Sequence, residues 1–201
     1  MSNEIYVNSY WPTHLIFSDH ENPEKINNHL IKHIYKWKEK DEYGVNRSNV
    51  GGWHSDIHMF KKNQFKEITD WINLQVQKSN EILRLKNGSS LIMDTMWANV
   101  NGKFHYNERH NHPRAHLSGV YYVKVPDENS QIIFYDPRTA NTMIPMDHEI
   151  TENDIDLWGR VYVTPKEGQL ILFPSYLDHS VEMNCAEEDR ISISFNFFQH
   201  T

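Results

Sequence analysis

Cysteine is almost absent: Cys185 stands alone among 201 residues, so no internal disulfide framework can staple the fold. Basic residues are in deficit, 20 Lys and Arg against 27 Asp and Glu, for a formal charge of -7. A general nucleic-acid binder, or a protein bound to an anionic membrane, gains affinity from a basic surface that releases counterions, and this composition argues against both. No apolar run approaches the ~18 residues a bilayer span requires. The opening MSNEIYVNSYWPTHLIF lacks the charged-then-apolar pattern of a secretory signal. A soluble cytoplasmic protein is therefore expected. Internal repeats and low-complexity tracts are also missing. The length suits one domain, 1–201, with a substantial core. Within it, 1–88 is expected to form helical support and a lid region, and 89–201 the core.

What is present in excess is histidine, 13 residues, and tryptophan, six. Residues 22–40 set Ile26, Leu30, Ile34 and Trp37 at three-to-four spacing behind Asn22-Pro23, a cap and first-turn pair, which predicts an amphipathic helix. A second helix is predicted over 62–85, with Phe65, Ile68, Trp71, Ile72, Val76, Ile82 and Leu83 on one side and Asn87-Gly88 as its stop. After Gly88 the chain turns to short β-branched and aromatic segments separated by Pro, Gly, Asn and Asp. Strands are expected near 91–99, 116–125, 131–135, 160–164, 169–173, 179–183 and 190–198. The last alternates most clearly, with Ile191, Ile193, Phe195 and Phe197 on one face and Arg190, Ser192, Ser194 and Asn196 on the other. Helices first and strands afterwards predict an α+β chain, mainly β, with a C-terminal sandwich or barrel. Residues 136–159 read as a long loop.

Three stretches carry chemistry. In RHNHPRAHLSGVYYV, His110 and His112 are separated by one residue, so an extended backbone points both imidazoles to one side, a chelating geometry. Two exposed loop histidines would give the same local pattern. GQLILFPSYLDHSVEMN brings His179 to the start of a strand, where it is either a ligand or a hydrogen-bonded structural residue. Arg190-Ile191-Ser192 puts a guanidinium and a hydroxyl on one strand face. An inward arginine needs an anion, either a buried Asp or Glu or a bound ligand.

Taken together, the histidine pair, the distant His179 and the Arg-x-Ser on the last strand resemble the 2-oxoglutarate and Fe(II)-dependent oxygenases. SGVYYVKVP and WANVNG extend the likeness to the prolyl-hydroxylase-like members. SNVGGWHS, HNHP, DPR and LFPSYLDHSV resemble a branch found in marine bacteria and their phages. The resemblance implies a double-stranded β-helix, or jelly roll, with two N-terminal supporting helices. It implies Fe(II) as metal and 2-oxoglutarate as cosubstrate, with O₂ and a further substrate as partners; a homodimer is compatible with the sequence. It implies His110 and His179 as ligands, and Arg190, Ser192, Tyr122 and Asn99 as contacts to the cosubstrate. The activity implied is hydroxylation of a C–H bond coupled to oxidative decarboxylation of 2-oxoglutarate.

One position departs from the family pattern. His112 stands where the superfamily has an Asp or Glu ligand, so a His110–His112–His179 set is one negative charge short. Glu108 and Asp178 are the nearby carboxylates; Asp178 should face away from its strand neighbour His179. His116 is expected beside the site, behind the ligands or facing substrate. Substrate selection is expected from SNVGGWHS, read as a mobile lid with an aromatic tip at Trp53-His54, and from the long loop carrying Arg138 and His148. Two other functions fit the same residues: a cupin-type three-histidine dioxygenase that does not use 2-oxoglutarate, and a non-catalytic metal-binding jelly roll.

Overall fold

The structure, a computed structural model, describes residues 11–126, 131–138 and 159–200. His148 and most of the predicted long loop therefore lie outside the described residues. Helix α1 (Pro23–Lys38) starts with proline in its first turn, where the missing N–H goes unneeded. Helix α2 (Lys66–Leu83) is shorter than predicted at both ends. Residues 59–65 instead form two 3₁₀ turns that bury Met59 and Phe65. At the other end Arg84 turns left-handed, with φ +50°, and the Leu85 N–H closes on the Asn80 carbonyl. Ile82, expected on the packed face, is 53% exposed.

The described residues contain eleven strands in two antiparallel sheets. A six-stranded major sheet runs in the order β1 (Ile16–Asp19), β9 (Gln169–Pro174), β6 (Leu117–Lys124), β11 (Arg190–His200), β4 (Ser90–Asn101), β3 (Trp53–His54). A five-stranded minor sheet runs β2 (Asn49–Val50), β5 (Tyr106–His110), β10 (His179–Val181), β7 (Ile132–Tyr135), β8 (Arg160–Val163). This is the double-stranded β-helix with two supporting helices expected from the sequence. The seven predicted strands are present, while β1, β2, β3 and β5 come from segments without a clear alternating pattern.

The major sheet is apolar over its whole outer face and over part of its inner one. Its outer face receives Ile26, Leu30 and Ile34 of α1 and Ile68, Ile72 and Val76 of α2 against Tyr121, Leu170, Ile193, Phe195 and Phe197. Between the sheets a smaller cluster of Val120, Tyr122, Phe134, Ile171, Phe173 and Leu177 closes one end of the sandwich. The other part of that space is left to polar groups, and there the site lies.

Residues 48–55 are not the lid the sequence suggested. Asn49–Val50 pairs with β5 in the minor sheet and Trp53–His54 pairs with β4 in the major one, so the segment stitches the two sheets together. Trp53 is buried in the core and donates its indole N–H to the Asp41 carbonyl at 2.6 Å. The glycines allow the crossing: Gly51 has φ +77°, and a Cβ at Gly52 would run into the Asn101 side-chain oxygen.

Phe195 lies across the β6 backbone at Gly119, its direct register partner. A Cβ there would stand 2.5 Å from Phe195 Cζ and 2.8 Å from Leu172 Cδ2. Gly119→Ala is expected to lower unfolding free energy by about 1–3 kcal/mol through overpacking, measured by urea denaturation; an unchanged midpoint would show that Phe195 can move aside.

Candidate metal centre

His110 ends β5 and His179 begins β10, and the two are direct partners in the antiparallel ladder. Their ring centroids stand 4.3 Å apart. Each imidazole is set by the same local device: Nδ1–H donates to the carbonyl two residues earlier, Glu108 O at 2.7 Å for His110 and Leu177 O at 3.0 Å for His179. A carbonyl can only accept, so the proton is on Nδ1 and each Nε2 keeps its lone pair for a ligand.

His112 follows in the turn after β5. Its backbone N–H is held by Ser175 O at 2.9 Å, and Arg114, at φ +79°, turns the chain back towards β6. Its ring lies 5.2 Å from His110 and 5.1 Å from His179, between Trp97 and Phe173. The three residues bring one nitrogen each within 4.8 Å of one another, a group that could hold a metal ion. Burial among these rings disfavours charge and keeps them neutral: it holds His112 at about 3 and His179 at about 4, with mutual repulsion adding to the effect, and lowers His110 as well.

The cluster opens into a cavity of about 960 Å³ whose deep wall is the inner face of the major sheet. There Ser192 of β11 has Asn99 of β4 on one side and Tyr122 of β6 on the other, and His54 of β3 extends the row beyond Asn99. Arg190, two residues before Ser192, is 2% exposed. Its Nη1 donates to Glu182 O at 3.2 Å, while Nη2 is buried without a partner. Among the described residues no carboxylate pairs with it, so the buried salt bridge considered from sequence is not what neutralises this charge. Asn99 donates to Ser194 Oγ at 3.1 Å and leaves its own oxygen unpaired. Burial raises the Tyr122 hydroxyl, which stays protonated and able to donate.

All seven sequence-chosen residues therefore line one cavity. His116 does not: it is exposed, accepts from the Gln199 N–H at 3.1 Å and rests against Phe198. Asp178 is drawn away by Arg109 at 2.9 Å and Asn111 at 2.8 Å, as its strand position implied. Glu108 serves through its carbonyl, and its side chain is not part of the metal-capable group. Sequence reasoning missed Ser48, 3.3 Å from His110 Nε2, and Trp97, stacked on His54 at 5.2 Å. His54 was noticed only as part of a lid. The signal available was SNVGGWHS itself, whose Gly-Gly marked a crossing rather than a hinge.

A jelly roll whose cavity receives a metal-capable imidazole group from one sheet and a buried guanidinium without a carboxylate partner from the other could hold a non-haem metal together with an anionic co-ligand. Residues 95–196 match the family described as "Putative 2OG-Fe(II) oxygenase", and the chain belongs to that family. Fe(II) and 2-oxoglutarate are accordingly its cofactor and cosubstrate, and His110, His112 and His179 could hold the iron. No curated protein matches. Solved structures share the fold at low identity. A prolyl-4-hydroxylase of Pseudomonas putida is 15% identical over 93% of each chain, with a TM-score of 0.67. A prolyl hydroxylase of Trichoplax adhaerens, in complex with a hypoxia inducible factor peptide fragment, is 13% identical over 92% of this chain and 83% of its own, TM-score 0.65. HygX of Streptomyces hygroscopicus, with nickel, 2-oxoglutarate and hygromycin B bound, is 10% identical over 92% of this chain and 83% of its own, TM-score 0.62.

The neutral imidazoles make stability depend on pH. Their folded pKa values lie below the ordinary 6.5, so below that pH the unfolded chain binds more protons than the folded one. Stability is full above 6.5 and declines as pH falls towards about 4. The metal-free protein is expected to show a lower urea midpoint at about pH 5 than at about pH 7.5. His112→Gln should flatten that difference; an equal slope in both proteins would assign the effect to other groups.

Proposed function

We propose that this chain is an Fe(II)- and 2-oxoglutarate-dependent oxygenase that hydroxylates a C–H bond of a further substrate. His110, His112 and His179 are its metal ligands, and Arg190, Ser192 and Tyr122 hold the far carboxylate of 2-oxoglutarate, with Asn99 as a further contact. The observation that carries this reading is the Arg190 guanidinium, buried with Nη2 unpaired on the wall of the cavity that also receives the three imidazoles. A carboxylate meets that need, because two parallel charge-assisted hydrogen bonds offset the desolvation of the cation. HygX, which holds nickel and 2-oxoglutarate on the same fold, supports it.

When bound, the metal and the 2-oxo acid supply O₂ activation coupled to oxidative decarboxylation, giving succinate and CO₂. The protein's own contribution is placement. The Nδ1–H bonds to Glu108 and Leu177 fix two ligands before metal arrives, so little conformational freedom is lost on binding. Three neutral imidazoles leave the whole metal charge uncompensated by protein, which favours an anionic co-ligand. Arg190 adds a second fixed cation deep in the cavity, and Ser192 and Tyr122 can donate beside it. Trp97 flanks His112, and Phe173 lies against both His112 and His179, which shields these two rings from water.

Purified protein given Fe(II) and 2-oxoglutarate in air is expected to form succinate slowly even without its own substrate. Arg190→Ala should weaken 2-oxoglutarate binding by about 10- to 100-fold, the range expected for lost charged hydrogen bonds. His179→Ala should lose metal, read by cobalt titration. Unchanged 2-oxoglutarate turnover in Arg190→Ala would sink this mechanism in favour of a three-histidine dioxygenase that binds its organic substrate directly. Absence of succinate from the iron-loaded wild type would favour a metal-binding jelly roll without catalysis.

A further inference from the structure

The 48–55 segment contributes more than a stitch between sheets. Ser48 lies beside β2, its carbonyl held by the Glu108 N–H at 2.9 Å, and its hydroxyl stands 3.3 Å from His110 Nε2. Since His110 Nδ1 already carries the proton given to Glu108 O, Nε2 accepts and the Ser48 O–H donates.

Behind Ser48 lies a directed chain. Asn101 Nδ2 donates to Asn107 Oδ1 at 3.0 Å, and Asn107 Nδ2 donates to Ser48 Oγ at 3.2 Å. Turning the Asn107 amide over alone would set its NH₂ against that of Asn101, so the orientation of each amide follows that of the other. Asn101 is buried, and its amide oxygen packs where any side chain at residue 52 would collide. Each donor in the relay points the same way, towards the metal-facing nitrogen of His110.

A metal ion would take the Nε2 lone pair that Ser48 now uses. The hydroxyl proton, held from behind by Asn107, then needs a new acceptor on the same side of His110. We propose that Ser48 is the donor that positions a small monoanion, of the hydroxide or halide class, on the metal beside His110. This rests on the three-histidine metal site proposed above. The neutral ligand set supplies the reason for an anion, and the relay supplies a fixed hydrogen bond for it. An acid at position 112 would have offered an acceptor to ligands on the metal; His112 offers none, and Ser48 adds a donor instead.

The test uses the full chain loaded with cobalt(II) and titrated with azide, both steps followed by the visible spectrum of the metal. Ser48→Ala is expected to weaken azide binding about 10-fold while cobalt affinity stays within about threefold, the size of one hydrogen bond to a charged acceptor. Ser48→Thr, which keeps the hydroxyl, should restore azide binding. Asn107→Leu, which removes the support behind Ser48, should weaken azide by about threefold. Equal azide affinity in wild type and Ser48→Ala overturns the proposal, as does cobalt-loaded wild type that binds no azide. Parallel loss of cobalt and azide would also overturn it, by showing that Ser48 only positions His110. Failure of the metal site itself reads differently: wild type would take up no cobalt, or His110→Ala would take it up equally well.

Discussion

The alternation of β11 is the constraint on which the rest of the structure depends. The strand lies between β6 and β4, bonded along both edges, so its side chains have only two directions available. Ile191, Ile193, Phe195 and Phe197 enter the core that the helices cover, and Arg190, Ser192, Ser194 and Asn196 enter the cavity. A slip of one residue would bury Arg190 among aromatic rings and turn Phe195 to the polar side, an error so costly that the register is fixed by burial alone. The same alternation sets a row across the sheet, His54, Asn99, Ser192 and Tyr122, because each is the register partner of the next. Position in this site follows from strand pairing rather than from flexible loops.

The minor sheet supplies the other half with much less hydrophobic support. Its β5 strand reads YNERH and buries none of its five residues fully. What holds His110 opposite His179 is the ladder between β5 and β10, the pairing of β2 with β5, and the ion pair from Arg109 of β5 to Asp178, the residue before β10. That ion pair is partly exposed and contributes little energy by itself. It does occupy Asp178, the carboxylate next to a ligand, and so keeps that anion away from the metal-facing side.

Legibility in the sequence followed the strength of local pattern. Helix α1 and strand β11 could be read because their periods persist over several turns or residues and their apolar faces are wide. Strands β2, β3 and β5 could not, because two to five residues without alternation carry no register information; they are strands only because β4, β10 and one another pair with them. Ile82 misled for a different reason: Leu83, the next residue, is the one that packs against the core, and Ile82 sits about 100° round the helix from it, 53% exposed. Gly51-Gly52 beside Trp53 suggested a hinged aromatic tip. The same glycines serve a tight crossing, and whether a glycine is there for motion or for space depends on neighbours such as Asn101 that lie fifty residues away. That the seven chosen residues share one cavity was legible since they sit on the long, patterned strands or in a motif with fixed spacing. Ser48 and His54 sit on the stitch.

The charge of the cavity follows from these placements and differs from that of the whole chain. The chain carries a net charge of -7, yet burial holds the His110, His112 and His179 rings neutral where they line the cavity, and the buried Arg190 guanidinium has no carboxylate partner among the described residues. Burial, not pairing, sets the imidazoles, since each loses more solvation by charging than it gains from Asp178 or any other distant acid. Replacing the usual carboxylate by His112 therefore does not merely exchange one ligand for another. It leaves the imidazole cluster without a carboxylate of its own among the described residues, since Asp178 is held by Arg109 and Asn111 and the Glu108 side chain stands outside the group. An anion at Arg190 would offset a charge that burial leaves unpaired, whereas a neutral ligand there would gain little.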